Sequence, residues 1–313
     1  MSFFNKKRVL VAGASGFIGS NFLKQLIKYD AEITATIYRR PLQIKASQIN
    51  TIKTDLTQLS EAIKCTKDID YVIHCAGGIS AAGTTVSNPM SVLSTNLIVT
   101  LRLLEASWIN GVKRFLIFSS GTTGYPPYDF AVKEDDFWKD QPAPVYFGYG
   151  WSRRYNELIS EFVQSKSAMK VAICRPSAPY GRYDNFDKNT GHVIPALISR
   201  ALNKENPYIV WGTGKELRDF IYVNDLVRGS LSLLEQKADC DPVNIAYGKS
   251  SSIKELVEII IKKTNHTKAE IVFDATKPTT IPIRKIDNTK AINTLGFIPK
   301  MNTNLRFQLP CNP

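Results

Sequence analysis

The sequence predicts an α/β fold in which a doubly wound parallel sheet is joined to a smaller lobe. Three observations support this class. Short apolar runs alternate with helical patterns, a glycine-rich turn follows the first run, and the pattern changes after residue 176. The runs are nearly continuous and rich in β-branched residues, as expected of strands buried on both faces. They predict strands at 8–12, 33–37, 49–53, 71–75, 115–119 and 170–174.

Helical patterns fill the gaps between these runs. After the first run, Phe22, Leu23, Leu26 and Ile27 form an apolar stripe at helical spacing. Helices are predicted at 20–29, 58–65, 89–110 and 150–165. Repeated strand–helix–strand units predict right-handed crossovers and one parallel sheet with helices on both faces.

Beyond residue 176 the chain becomes rich in Asn, Gly, Pro and Asp, with helices predicted at 193–202, 224–235 and 252–263. The sequence contains no low-complexity linker and no internal repeat. We therefore predict two interwoven units rather than two detachable ones. The sheet unit comprises 1–176, with 220–250 returning to it, and a substrate-binding lobe comprises 177–219 and 251–313.

Composition and charge narrow the function classes. The hydrophobic share of 43% and charged share of 22% are ordinary for a soluble globular protein. No apolar run reaches the roughly 18 residues of a membrane span, and the N-terminus lacks the apolar core of a signal peptide. The net charge of +12 is spread along the chain without a basic block. We therefore expect neither nucleic-acid nor membrane binding, and a site for anionic ligands instead.

The cysteines and histidines bear on compartment and metal binding. The five cysteines are scattered and form no C-x-x-C pair, so we expect free thiols in the reducing cytoplasm. The three histidines lie near no cysteine cluster, and we therefore expect no metal site.

The turn after the first predicted strand has the spacing G-x-x-G-x-x-G. Gly13 permits the tight turn, Gly16 lets backbone N–H groups approach a pyrophosphate, and Gly19 allows close helix–strand packing. A glycine triplet alone is weak evidence, but this one stands between a strand and an amphipathic helix. It predicts a Rossmann sheet that binds NAD or NADP. The expected contacts of the turn are Gly13, Ser15, Gly16, Phe17, Ile18 and Gly19.

The end of the second predicted strand bears on the choice of dinucleotide. An acidic side chain there would bind the ribose hydroxyls of NAD, but the sequence reads Tyr38-Arg39-Arg40. A guanidinium can pair with a 2′-phosphate, so the sequence leans towards NADP through Arg39. The alternative is that both arginines stack on adenine or face water, and that the site accepts NAD.

Further motifs lie near the ends of the predicted strands. They are Thr54-Asp55-Leu56, His74-Cys75-Ala76-Gly77-Gly78, Ser119-Ser120, Tyr149-Gly150-Trp151-Ser152-Arg153, Arg175-Pro176-Ser177 and Tyr180-Gly181. Together they resemble the extended short-chain dehydrogenase/reductase superfamily, in its NAD-dependent epimerase/dehydratase branch that acts on nucleotide sugars. The cofactor contacts expected outside the glycine turn are Tyr38, Arg39, Arg40, Asp55, Leu56, Ala76, Gly77, Gly78, Asn96, Ser119, Pro176 and Ser177.

The second half carries more specific motifs. They are Asp184-Asn185-Phe186, the run 191–200, Val210-Trp211-Gly212-Thr213-Gly214, Arg218-Asp219-Phe220, Val223-Asn224-Asp225-Leu226, and Lys277-Pro278 through Arg284 and Asp287. This set is similar to the GDP-fucose synthase-like branch. The resemblance implies a nucleotide-sugar substrate whose pyrophosphate is bound by Arg200, Arg218 and Arg284. It implies further substrate contacts at Asn185, His192, Val193 and Trp211. It also implies a homodimer or higher oligomer paired through helices 89–110 and 150–165.

Tyr149 and Arg153 stand four residues apart on a predicted helix and should face the same way. A phenol can give or take the proton at a sugar carbinol while hydride moves at the nicotinamide, provided that a cation stabilises its anion. The family has lysine where this chain has Arg153, whose planar fork keeps the charge but differs in shape. We expect a catalytic pair; the alternative is a surface arginine beside an inactive tyrosine.

The chain also departs from the family beside this pair. The family's catalytic Ser or Thr falls four residues before Tyr125, at Gly121 here, so Ser120, Thr122 or Thr123 would supply the hydroxyl, with Thr122 preferred. Where the 4,6-dehydratases have Asp-Glu, this chain has Thr122-Thr123. Where the 3,5-epimerising fucose synthases have a cysteine at the second of these positions, this chain has Thr123. Dehydration and double epimerisation are therefore disfavoured. A third departure is Ser177-Ala178-Pro179, where relatives usually have an Asn.

Three function hypotheses follow. The first is an oxidoreductase at C4 of a GDP-linked hexose or heptose, a 4-dehydrogenase or 4-keto reductase of surface polysaccharide biosynthesis. The second is a nucleotide-sugar 4-epimerase with tightly bound NAD. The third is a non-catalytic protein that senses NAD(P), supported mainly by the departures at Gly121 and Arg153.

Overall fold

The computed structural model describes residues 2–78, 89–187, 191–277 and 279–300. Three parts of the sequence predictions lie outside these ranges: Pro278 of the Lys277-Pro278 motif, the end of the lobe at 301–313, and Cys311 within it.

The described strands, in chain order, are β1 (Arg8–Ala12), β2 (Glu32–Ile37), β3 (Ile49–Lys53), β4 (Tyr71–His74), β5 (Arg114–Phe118), β6 (Ala131–Val132), β7 (Lys170–Pro176), β8 (Ala178–Tyr180), β9 (Tyr208–Trp211), β10 (Leu217–Tyr222), β11 (Val243–Ile245), β12 (Ser250–Ser252), β13 (Ile271–Asp274) and β14 (Lys285–Ile286). The described α-helices are α1 (Phe17–Leu26), α2 (Leu59–Thr66), α3 (Pro89–Ile109), α4 (Phe147–Lys166), α5 (Val193–Leu202), α6 (Val223–Gln236), α7 (Ile253–Lys263) and α8 (Thr289–Leu295). Two short 3-10 helices, Glu134–Trp138 and Pro144–Tyr146, precede α4.

Seven parallel strands form the central sheet in the order β11-β7-β5-β4-β1-β2-β3. One face packs against α1, α6 and α8, and the other against α2, α3 and α4. The predicted α/β class is confirmed. Parallel strands with helices on both faces place all of their carboxyl ends at one edge, where ligands bind in such sheets.

The differences from the predicted elements are local. Helix α1 begins at Phe17 rather than residue 20, because Gly16 already has the extended backbone of an N-cap. The seventh strand, β11, was not predicted; its three residues are too few to give a periodic signal.

Smaller sheets lie beyond β7. Strands β12, β10 and β8 form one, β13 and β9 a second, and β14 and β6 a third. Helices α5 and α7 pack on this part through a separate apolar cluster that includes Leu197, Phe220 and Leu256. The carboxyl ends of β1, β4, β5 and β7 thus form one side of a candidate ligand site. Residues of the smaller sheets are candidates for the opposite side.

A buried ion pair joins α4 to the sheet. Arg175 of β7 donates from Nε and Nη2 to the two carboxylate oxygens of Glu157, at 2.9 and 2.7 Å, and both side chains are at most 3% exposed. Nη1 of Arg175 also donates to the Tyr125 hydroxyl at 3.2 Å and to the Glu134 carbonyl at 2.8 Å. One guanidinium therefore fixes the helix, the loop after β5 and the following 3-10 helix.

Removing one partner of this pair should unfold the protein more easily than removing both. Glu157→Leu or Arg175→Met leaves a buried charge uncompensated, which costs about 3–5 kcal/mol of unfolding free energy. The double variant should recover part of that loss, as measured by urea denaturation. If the double variant loses as much unfolding free energy as the two single variants added together, the coupling is contradicted.

Candidate active site

The glycine turn after β1 fits the pyrophosphate of a dinucleotide. A Cβ on Gly13, which has a φ of +77°, would lie 2.6 Å from the backbone of Ala76. A Cβ on Gly19 would lie 2.4 Å from the carbonyl oxygen of Gly13. Helix α1 has no side-chain cap and no acid in its first turn, so its first N–H groups remain for an anion. Of the other predicted contacts here, Ser15 is buried, while Phe17 and Ile18 are half-buried.

The end of β2 presents exposed polar groups where adenosine would bind. Tyr38 is 51% exposed, and the Arg39 guanidinium lies 5.1 Å from the centre of its ring. Arg39 and Arg40 are exposed and form no ion pair with the described residues. Asp55 accepts hydrogen bonds from Thr57 through Oδ1 only, at 3.0 and 2.8 Å, which leaves Oδ2 for a ligand. Leu56 beside it is buried.

The loop after β4 is held by Asn96 of α3. Asn96 Oδ1 accepts from the Gly78 N–H at 2.7 Å, and Nδ2 donates to the Gly78 carbonyl at 3.3 Å. A Cβ on Gly77 would lie 2.5 Å from Asn96 Oδ1. Asn96, expected as a cofactor contact, therefore supports the loop that would touch the cofactor.

Tyr149 and Arg153 contact each other on α4. Arg153 Nη2 donates to the Tyr149 hydroxyl, and its guanidinium lies 4.7 Å from the centre of the tyrosine ring. Arg153 Nη1 donates to the Phe118 carbonyl at the end of β5, at 3.2 Å. The Ser119 hydroxyl approaches the Arg153 carbonyl at 3.5 Å. A guanidinium thus touches the phenol next to the carboxyl end of β5.

The loop leaves no room at position 121 for the Ser or Thr side chain that the family has there. The Gly121 N–H donates to the Pro176 carbonyl at 2.9 Å, and a Cβ would lie 2.5 Å from that oxygen. The loop packs too closely on the end of β7 for a side chain. Ser177, the residue after Pro176, is itself buried, and its side chain interacts with the Asp219 carboxylate.

The three hydroxyls considered in its place differ in their partners. Ser120 Oγ accepts from the N–H groups of Thr122 and Thr123, at 3.2 and 2.9 Å, and from Thr123 Oγ1 at 2.8 Å. The Thr123 hydroxyl is therefore used within the loop, whereas the Ser120 proton remains available for donation. Thr122 Oγ1 makes no hydrogen bond to the described residues and is half-buried.

A buried histidine near the pair is not a proton carrier. His74 lies 2.9 Å from Thr100 Oγ1 through Nε2. Burial, together with the nearby charge of Arg153, lowers the pKa of His74 to about 3. His74 is neutral at physiological pH and supports the end of β4.

Arg218 and Arg284 form a cationic cluster on the lobe side. Arg218 donates to Thr280 Oγ1 at 2.8 Å, and burial lowers the pKa of Arg218. Burial and, to a smaller extent, the charge of Arg218 lower the pKa of Arg284 to about 10, against the opposing effect of the Tyr146 and Tyr125 phenols. Asp219 accepts from the N–H groups that follow Ala246, at 3.0 and 2.8 Å, and burial raises the pKa of Asp219 to about 6.

Arg284 is placed differently from expectation. It is 1% exposed, and its terminal nitrogens donate to the carbonyls of Pro126 and Tyr125, at 2.9 and 3.2 Å. Tyr146, which sequence reasoning missed, interacts electrostatically with both Arg218 and Arg284. Only the fold brings Tyr146 to these arginines, so no local motif could have identified it.

The remaining predicted substrate contacts lie on α5 and β9. Arg200 Nη1 donates to the Ile209 carbonyl at 2.7 Å, two residues before Trp211, which is 44% exposed at the end of β9. His192 begins α5 with Nδ1 3.5 Å from the buried carboxylate of Asp184, a partner that was not predicted. Asn185 follows Asp184 in the same loop, and Val193 is exposed in the first turn of α5.

Two further observations bear on ligand class. In the described ranges, no three side chains of His, Cys, Asp or Glu lie together as metal ligands would. No helix among the described residues is both long and apolar enough to cross a membrane.

Residues 9–246 match the NAD dependent epimerase/dehydratase family. The chain belongs to this family. The resemblance drawn from its motifs is confirmed, and the chain is an enzyme of the extended short-chain dehydrogenase/reductase type.

Two curated relatives and one solved structure illustrate the similarity. It is 31% identical to dTDP-4-dehydro-6-deoxy-D-allose reductase of Streptomyces bikiniensis, with 94% of this chain and 92% of the relative covered. It is 28% identical to GDP-L-fucose synthase of Sinorhizobium fredii, with 97% and 94% covered. Among solved structures it is similar to UDP-glucose 4-epimerase of Thermotoga maritima, with a TM-score of 0.86, 25% identity and 95% of both chains covered.

Restoring the family's hydroxyl at position 121 should impair this epimerase/dehydratase. In Gly121→Ser the new Cβ would meet the Pro176 carbonyl, so we expect a lower melting temperature and lower turnover. Gly148→Ala is the matched control, because its Cβ would meet only Leu93, at 3.8 Å, and alanine favours a helix. A serine variant that melts like wild type and turns over faster would show that a side chain fits here.

Proposed function

We propose that this enzyme is an NAD(P)-dependent oxidoreductase that acts at C4 of a nucleotide-activated sugar, as a 4-keto reductase or 4-dehydrogenase. The contact between Tyr149 and Arg153 carries the proposal, because it supplies one proton-transferring group at the edge of the sheet. Thr122 and Thr123 beside it offer hydroxyls rather than the acid–base pair that dehydration needs. The curated relative at 31% identity is itself named as a 4-keto-sugar reductase.

Tyr149 would give its proton to the C4 oxygen in reduction and take it in oxidation. Arg153 stabilises the phenolate that remains, while its second contact with the Phe118 carbonyl fixes the distance to β5. Ser120, or Thr122, would donate a second hydrogen bond to the same oxygen. The bound nicotinamide supplies or accepts the hydride.

The nucleotide sugar would lie between the Tyr149 pair and the lobe. Arg218 would bind its diphosphate with charge-assisted hydrogen bonds, and Arg200 with Trp211 would lie towards the nucleoside. The similarity to GDP-L-fucose synthase supports a GDP-linked hexose. A GDP-heptose as the alternative sugar and a place in surface polysaccharide biosynthesis are part of the proposal. The division into a sheet unit and an interwoven lobe is part of the same proposal.

A 4-epimerase with tightly bound NAD is the second candidate. The similarity to a UDP-glucose 4-epimerase across 95% of both chains favours it. The same proton carrier would serve both directions of hydride movement, so the two functions differ in whether cofactor is consumed.

We also propose that the enzyme is a cytoplasmic homodimer paired through α3 and α4. The exposed apolar side chains on α4 recur at helical spacing, which favours helix pairing between copies. They are Phe147, Trp151, Tyr155, Leu158 and Phe162.

Tyr149→Phe should lower turnover by about 10²–10⁴-fold, because only the proton-transferring hydroxyl is removed. GDP-, UDP-, dTDP- and CDP-sugars would be screened for a change in nicotinamide absorbance, and for epimerised product without such a change. Cofactor affinity should stay at the wild-type value. Tyr155→Phe, an exposed tyrosine on the same helix, is the control and should keep full activity.

Activity that persists in Tyr149→Phe would reject Tyr149 as the proton carrier. Product without net cofactor consumption would favour the epimerase. Binding of sugar nucleotides with no reaction across the panel would favour the non-catalytic cofactor sensor.

Arg39→Gln should lower kcat/KM for NADPH by about tenfold while leaving the value for NADH nearly unchanged, because a charge-assisted contact to the 2′-phosphate is lost. Lys45→Gln removes a nearby exposed cation and is the control. Equal effects on kcat/KM for both cofactors would show that Arg39 does not bind the 2′-phosphate of NADPH.

A further inference from the structure

Two consecutive arginines of α4 hold the two ends of the loop that follows β5. Arg153 Nη1 donates to the Phe118 carbonyl at 3.2 Å, and Arg154 Nε donates to the Gly124 carbonyl at 3.0 Å. Consecutive side chains of a helix point about 100° apart, so a single turn of α4 reaches both ends. Residues 119–124, the hydroxyl loop, are thus tied at both ends to the helix that carries Tyr149.

The hydroxyl loop is also held between its ends. The Gly121 N–H donates to the Pro176 carbonyl at 2.9 Å. A Cβ on Gly150 of α4 would lie 2.4 Å from the Thr123 carbonyl oxygen, so the helix packs directly on the loop. The three hydroxyls considered for catalysis therefore lie between fixed points of the main chain. They belong to Ser120, Thr122 and Thr123.

Arg154 is built into the protein rather than lying on its surface. It is 2% exposed, and burial lowers its pKa. Its Nη2 donates to the Asp140 carbonyl, on the segment that leads into α4. Three aromatic rings surround the guanidinium and fix its plane, which directs Nε at the Gly124 carbonyl. They are those of Phe137, Trp138 and Trp151, with centres 5.2, 5.3 and 4.9 Å from Arg154 Cζ.

Phe137 packs on the same end of the loop. A Cβ on Gly124 would lie 2.3 Å from its ring, and the ring meets that of Tyr125 edge-on, with centres 4.8 Å apart. Gly124 is therefore held by the Phe137 ring against its α-carbon and by Arg154 at its carbonyl. The glycine at this position is required by the close packing of the ring.

These contacts set the distance between two candidate catalytic groups. Tyr149 lies one turn before Arg153 on α4, and the loop that α4 holds carries the hydroxyls. A donor stabilises charge on a reacting oxygen from about 2.7–3.1 Å, and a misplacement of about 1 Å can cost about a hundredfold in rate. Catalysis by both groups on one oxygen thus depends on how firmly the loop is held to the helix.

We propose that Arg154 is a positioning residue, which holds the Gly124 end of the hydroxyl loop to α4. It thereby sets Ser120 and Thr122 against the oxygen that Tyr149 protonates. The catalytic consequence rests on the proposed function, whereas the hold on the loop can be measured without a substrate.

Hydrogen–deuterium exchange tests the hold on the loop. Arg154→Met removes the hydrogen bonds and keeps an apolar chain among the rings, so amide exchange in segment 119–126 should become about tenfold faster. Arg114→Met is the matched control. Arg114 also donates to two carbonyls, those of Leu234 and Glu235, and lies 5.1 Å from the centre of the Phe3 ring. That variant should lower the melting temperature while exchange in 119–126 stays at the wild-type rate.

The catalytic consequence is measured with whichever nucleotide sugar is turned over, at a temperature where all variants are folded. Arg154→Met should lower kcat by about ten- to a hundredfold with KM within about twofold of wild type. Arg154→Lys keeps a cation among the rings and one donating group, so it should recover part of kcat. Arg114→Met should keep the wild-type kcat.

Gly150→Ala tests the same hold with Arg154 intact, and it serves if Arg154→Met fails to fold. Its Cβ would meet the Thr123 carbonyl, so the loop should move away from α4 and kcat should fall by about tenfold. Gly148→Ala, whose Cβ would meet only Leu93 at 3.8 Å, is the control and should keep kcat.

Three results would overturn the proposal. The first is wild-type exchange in 119–126 or wild-type kcat in Arg154→Met, or, if that variant does not fold, wild-type kcat in Gly150→Ala. The second is a loss of kcat in Arg114→Met as large as in Arg154→Met, which would assign the loss to general destabilisation. The third is a raised KM with unchanged kcat. If no sugar reacts with the wild type while exchange rises in Arg154→Met, the proposed function fails and the hold on the loop stands.

Discussion

The buried ion pair between Arg175 and Glu157 is the contact on which the geometry of the active site depends. The helix that carries Tyr149 packs on the sheet through apolar side chains such as Val163, whose contacts are not directional. A bidentate pair between a helix and a strand is directional, and it fixes how far the helix is turned and shifted. Tyr149, Arg153 and Glu157 are spaced four residues apart, so fixing Glu157 also fixes the face that carries the other two.

The same guanidinium extends this constraint to the loop after β5. Through Tyr125 and Glu134, Arg175 reaches Asn244 at the edge strand β11. The loop is drawn so close to β7 that the Pro176 carbonyl occupies the space of a side chain at Gly121. The glycine that departs from the family is thus a consequence of close backbone packing. The hydroxyls of this turn belong to neighbouring residues, and Ser120 accepts a hydrogen bond from Thr123.

Features encoded by local pattern could be predicted from the sequence, and features that depend on distant contacts could not. Strands β1 to β5, strand β7 and the glycine turn follow from apolar runs and from spacing, and the contact between Tyr149 and Arg153 follows from helical periodicity. The burial of Arg284 and its contact with Pro126 depend on segments 158 residues apart. Tyr146 was missed for the same reason, because Arg218 and Arg284 lie in other parts of the chain.

Arginine serves repeatedly in this chain to hold main-chain carbonyls. Arg154 donates to the Gly124 carbonyl at 3.0 Å, and Arg284 holds the next two carbonyls in the same way. Arg153 donates from Nη1 to the Phe118 carbonyl, while its Nη2 contacts the Tyr149 hydroxyl. A lysine has one compact ammonium at the end of a flexible chain, whereas a planar guanidinium fixes the angle between its two contacts. The substitution therefore keeps the cation beside the phenol and ties that phenol to the end of β5, where the carbonyl of the strand sets its position.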